Sequence, residues 1–67
     1  MKEPLFYINQ TIKNIEAAEN MEKTYNLYQY FQGLIHMAFF TGIIDEYEKD
    51  IFIRDTWFKI EKKKVSM

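Results

Sequence analysis

Apolar residues recur at helical spacing through most of the chain. Leu5, Ile8, Ile12 and Ile15 follow at steps of three, four and three, which draws one stripe along a helix of 3.6 residues per turn. Pro4 suits the first turn of that helix, where its missing N–H costs nothing. The pattern predicts helix 1 over about residues 4–18. Asn20 is a suitable N-cap for a second helix, with Glu22 facing the positive end of its dipole. Gly42 can supply the left-handed residue that ends it, so helix 2 is expected over about 21–41. Asp45 and Glu48 have the Asp-x-x-Glu spacing of a capping box and open helix 3, expected over about 45–62. Ile43 and Ile44 fall in the short connection, where burying them would set the angle between helices 2 and 3. No alternating strand-like run of useful length occurs. The expected fold is all-α, a small three-helix bundle or a helical hairpin plus one helix, in a single domain over residues 1–67.

Helix 2 divides into two sides. Leu27, Tyr28, Phe31, Leu34, Ile35, Ala38 and Phe39 share one broad side, the expected core. The other side carries Asn26, Gln29, Tyr30, Gly33, His36, Met37 and Phe40. A solvated face normally carries Lys and Glu, yet Thr24 to Ile44 contains no charged residue. Gly33 in mid-helix costs about 1 kcal/mol relative to Ala and can let another backbone come close. Two readings follow: helix 1 or helix 3 covers this side, or it meets another chain. Charge depletion with Tyr, Phe and Met enrichment is the mark of an interface core. Helix 3 repeats the theme, with Tyr47, Ile51 and Phe58 on one stripe, Ile53, Trp57 and Ile60 on a second, and Phe52 outside both. Phe6 and Tyr7 lie off the stripe of helix 1.

Size sharpens this pattern. A chain of 67 residues and 8.2 kDa exposes roughly 4,500 Å² when folded against about 12,000 Å² unfolded. It has no cysteine for a disulfide, and twelve aromatic rings for so small a chain. Such a chain leans on dense aromatic packing, on dimerisation or on a bound partner. Phe, Tyr, Met, Ile, Asn and Lys make up 36 of the residues while Gly, Ala, Arg and Pro make up 7, a bias toward AT-rich codons that suggests a low-GC bacterium, its phages or its plasmids. The net charge of −1 is too balanced for strong attraction to nucleic acid or anionic membrane. Met1, Lys2, Glu3 and the residues after them do not read as a signal peptide, and the uncharged Thr24–Ile44 run holds Asn26, Gln29, Gln32 and His36, each of which would need a partner in hydrocarbon. A soluble, cytoplasmic chain is expected.

Catalytic chemistry finds little support. His36 is the lone histidine, without a nucleophile, an acidic partner or a second nitrogen ligand in a known spacing. Asp45, Glu46, Glu48 and Asp50 lack calcium-loop spacing and read as capping and solvation, or as an acidic surface for a basic protein. No phosphate-cradling glycine loop occurs, and Asn9-Gln10-Thr11 matches a glycosylation sequon within helix 1 by chance. No enzyme activity, cofactor, metal or small-molecule substrate is expected. The turn at Gly42 could serve a helix-turn-helix, but helix 3 opens with four acids and has one arginine, Arg54, which disfavours nucleic acid. Lys59 and Lys62 to Lys64 are what such binding would use. The expectation is a non-enzymatic interaction protein, a regulator or inhibitor from a phage or mobile element that binds a host protein or itself. Its interface candidates are Asn26, Gln29, Tyr30, Gly33, His36, Met37, Phe40 and Trp57, with Tyr30, Met37, Phe40 and Trp57 as anchors. The alternatives are a nucleic-acid accessory protein using the C-terminal lysines, or a structural homo-oligomer.

Overall fold

A computed structural model describes residues 4–66; Met1 to Glu3, on which the leader reading rests, and Met67 lie outside the described residues. Three helices pack together: α1 (Pro4–Ala17), α2 (Met21–Phe40) and α3 (Glu46–Ser66). The first two match the expected spans to within a residue at each end, and α3 runs four residues beyond the expected Lys62. Its extra turn is held by a contact with α1 described below.

Local chemistry explains the boundaries. The Asn20 side chain accepts a hydrogen bond from the Lys23 N–H at 2.8 Å, satisfying a donor of the first turn of α2. At the other end Gly42 has φ +80°, its N–H donates to the Phe39 carbonyl at 3.1 Å, and the Ile43 N–H reaches back to the Ala38 carbonyl at 2.9 Å. That pair of bonds is a Schellman motif, which closes the helix on its own orphan carbonyls. The capping box of α3 is reciprocal: the Glu48 N–H donates to Asp45 Oδ1 at 2.8 Å, and the Asp45 N–H to Glu48 Oε1 at 3.1 Å.

The fully buried apolar residues are Ile8 and Ile15 of α1, Phe31, Ile35 and Ala38 of α2, Ile44 of the connection and Ile60 of α3. Leu5, Ile12, Leu27, Tyr28, Leu34, Phe39, Phe52 and Ile53 surround them, partly buried. Ile44 thus locks the α2–α3 turn, whereas Ile43 stays 41% exposed and does not share that role. The inward face of α3 matches neither of the two expected stripes. Its inward stripe is Lys49, Phe52, Ile53, Thr56, Ile60 and Lys63. Phe52 therefore belongs to the inner face, while Tyr47 and Phe58 point away from it. A stripe defined only by its apolar members passes over Thr56 and Lys63.

Lys49 of α3 lies over the Phe39 ring of α2 and Trp57 lies against Tyr28, so the two helices run antiparallel. Lys59 and Lys63 reach the C-terminal end of α1, which makes α1 and α3 parallel. The α1–α2 hairpin has the most extensive interface and α1–α3 the least. The molecule is accordingly flattened, 36 × 25 × 14 Å. Its accessible surface is 4936 Å², above the roughly 4,500 Å² expected for its mass. No helix among the described residues is long and apolar enough to cross a membrane.

Candidate functional site

Neither α1 nor α3 covers the second side of α2. Asn26, Gln29, Tyr30, Gly33, His36, Met37 and Phe40 are all exposed. Tyr30 is 58% exposed, Met37 65% and Phe40 83%. The reading in which a neighbouring helix buries this side is overturned, and the reason is geometric. Three helices in a flat arrangement meet α2 only along the arc centred on Phe31, and the outward arc has nothing left to cover it.

The seven residues form one strip along a helix of 20 residues, about 30 Å long. Within it, Asn26 and Gln29 supply amides, Tyr30 a phenol and His36 an imidazole, each able to donate and accept hydrogen bonds. Met37 and Phe40 supply apolar area, and the Phe40 ring lies 6.0 Å from that of Phe39, which links the strip to the core edge. A Cβ added at Gly33 would meet nothing within 4 Å, so no contact within the chain requires a glycine there. It leaves a shallow place on the strip.

Trp57 does not join the strip. Its ring lies 5.4 Å from that of Tyr28, on the flank of α2 that meets α3, and is 41% exposed. Tyr30 lies two residues further along α2, about 200° round the helix from Tyr28. Trp57 therefore lies at the α2–α3 seam against Tyr28 and stays partly open to solvent. Tyr28 also stacks on Phe31 with centroids 5.9 Å apart, so the tryptophan is tied to the core through one intermediate ring.

The C-terminal lysines are largely engaged within the chain. Lys63 donates to the Ile15 carbonyl at 2.7 Å and to the Ala18 carbonyl at 2.5 Å. It caps the C-terminus of α1, whose own last turn contains no basic residue. Lys59 pairs with Glu16 at 3.0 Å, and Lys62 lies over the Phe58 ring at 5.0 Å. The Lys59 and Lys63 roles connect residues more than forty positions apart, and a single sequence carries no local signal for them, whereas the Lys62–Phe58 contact lies within one turn of α3. Among the described residues no three His, Cys, Asp or Glu side chains converge on a common point.

Comparison of this chain with known protein families, with curated proteins and with solved structures gives no match.

Proposed function

We propose that this chain is a non-enzymatic interaction module whose α2 strip occupies an apolar surface on another protein, as a regulator or inhibitor from a phage or mobile element would. The observation that carries this reading is the exposure of Tyr30, Met37 and Phe40 on a face without charge. Water gains little from such a face, because it offers no ion to solvate, while burying each anchor contributes about 2 kcal/mol. Tyr and Phe are rigid anchors that lose few rotamers on docking, and the interleaved amides fix orientation without a desolvated charge. Gly33 in the middle of the strip lets a facing backbone approach closely.

The test uses the intact chain as bait beside its Tyr30→Ala and Phe40→Glu variants. Both side chains are largely outside the core, so the variants keep wild-type helicity and thermal midpoint. Retention of a protein by the wild type that is lost with both variants supports the reading. Unfolding of the variants, or retention that they do not alter, refutes it.

A further inference from the structure

The outward face of α3 is a second uncovered surface, with a different chemistry. Opposite the inward stripe centred on Thr56 run Tyr47, Ile51, Arg54, Phe58, Glu61 and Val65, at alternating steps of four and three. This is the heptad spacing of a seam between paired helices. Ile51, which is partly buried, and Phe58 and Val65, which are exposed, occupy one set of seam positions, seven residues apart. Tyr47 is 74% exposed, Phe58 59% and Val65 87%. Phe58, Glu61, Lys62 and Val65 line a shallow hollow of about 410 Å³ at the C-terminal end.

Charge is segregated along the same helix. Residues 45–50 hold four acids and one lysine, whereas residues 59–64 hold four lysines and one acid. The helix dipole accounts for Glu46 and Glu48 in the first turn and for Lys64 in the last, and Lys63 serves α1. Asp50 lies beyond the reach of those end effects, while Lys62 lies over the Phe58 ring. Neither Asp50 nor Lys64 has an ion-pair partner among the described residues.

From this we infer that the outward face of α3 is the interface of an antiparallel homodimer, its occupant a second copy of the same helix. Turning a copy end over end about an axis near Thr56 places each acidic end against the other's basic end. Asp50 then faces Lys64 of the second copy and Glu48 faces Lys62 of the second copy, each pair occurring twice by symmetry. Tyr47 of the second copy arrives at the hollowed Phe58–Val65 end. Arg54 arrives beside Phe58 and Glu61, where it meets an aromatic face and a carboxylate. A parallel arrangement would set acid against acid and lysine against lysine along the whole seam, whereas the antiparallel one does so only at Asp55, which falls beside its own copy at the axis. The seam with its flanking stems offers roughly 600 Å² per copy, the low end of specific interfaces, so the dimer is weak and concentration-dependent. This surface is separate from the α2 strip, which the dimer leaves open.

Sedimentation equilibrium of the full chain across micromolar to millimolar concentration tests it. The expected average mass rises from 8.2 kDa toward twice that value, less steeply at high salt. Asp50→Lys and Lys64→Glu each place like charges at both symmetric contacts and weaken dimerisation about tenfold. An equimolar mixture of the two variants restores opposite charges at both contacts and recovers wild-type affinity. Asp50 and Lys64 are exposed, so neither variant disturbs the core; Lys64→Glu loosens only the last turn of α3 through the dipole, and circular dichroism checks that each variant otherwise keeps its helicity. A mass of 8.2 kDa at every concentration overturns the inference. So does a dimer that neither variant weakens, one that the mixture fails to restore, or one that Phe40→Glu abolishes. The last result would move self-association to α2.

Discussion

The ammonium of Lys63, on α3, donates to the carbonyl oxygen of Ile15, on α1, across 2.7 Å. Forty-eight residues separate them, and the contact closes the chain into one unit at the end where α1 stops. An α-helix leaves its last carbonyls without partners, and α1 has neither a glycine cap nor a basic residue in its own last turn. The remedy comes from α3, which explains why that helix continues past Lys62.

Replacing Lys63 by Met keeps the aliphatic stem and removes the donors. Hydrogen bonds to a charged group contribute more than neutral ones, so Lys63→Met should cost about 2 kcal/mol in a denaturant titration. The Lys59–Glu16 pair is about half exposed on both sides, and Lys59→Met should cost only about 0.5 kcal/mol. Equal losses at the two positions would show that the α1 terminus does not depend on this cap.

The two glycines should respond to alanine with opposite signs. Neither would bring an added Cβ within 4 Å of a neighbour, so steric contact does not separate them. Gly33 has ordinary helical backbone, and Gly33→Ala should raise stability by about 1 kcal/mol. Gly42 sits at φ +80°, where a side chain is strained, and Gly42→Ala should lower it by about 1 kcal/mol. Gly33→Ala should also weaken capture of an α2 partner, because the added methyl blocks close approach. Thermal melts and retention assays on the same preparations read both effects.

Thr56 should be improvable. Thr11 and Thr24 are buried and donate to the Tyr7 and Asn20 carbonyls at 2.7 and 2.8 Å. Thr56 is equally buried, yet its Oγ1 has no partner among the described residues. Substituting Val keeps the shape and removes an unsatisfied hydroxyl, so Thr56→Val should stabilise the fold by about 1 kcal/mol. For a domain of this size that is a rise of about 4–8 °C in Tm. Thr24→Val removes a satisfied bond and should not stabilise.

The start of α3 rests on two reciprocal bonds. Asp45→Ala removes the acceptor for the Glu48 N–H and leaves the Glu48 side chain without its counterpart, which should cost about 1 kcal/mol. Amide exchange should accelerate in the first turn of α3 and stay unchanged in α1. Uniform acceleration across the chain would mean that this cap is not a local device.

Sequence alone determined the helices and most of their ends, because caps and stripes depend on neighbours within one turn. Asn20, Gly42 and the Asp45–Glu48 pair act over three or four residues, and the α2 core side from Leu27 to Phe39 follows from period alone. Which face is covered is a different kind of fact. That the Asn26–Phe40 side of α2 stays open depends on where α1 and α3 settle, and so does the placement of Trp57 on Tyr28 rather than among the strip. The inward stripe of α3 was hidden for the same reason. It includes Thr56, tolerated among apolar neighbours, and Lys63, whose charge is satisfied by α1. Periodicity locates a stripe only when its members are all apolar, and it cannot register a lysine whose partner lies forty-eight residues away. Tertiary packing decided those placements, because burial and hydrogen bonding between helices are settled only when the helices meet.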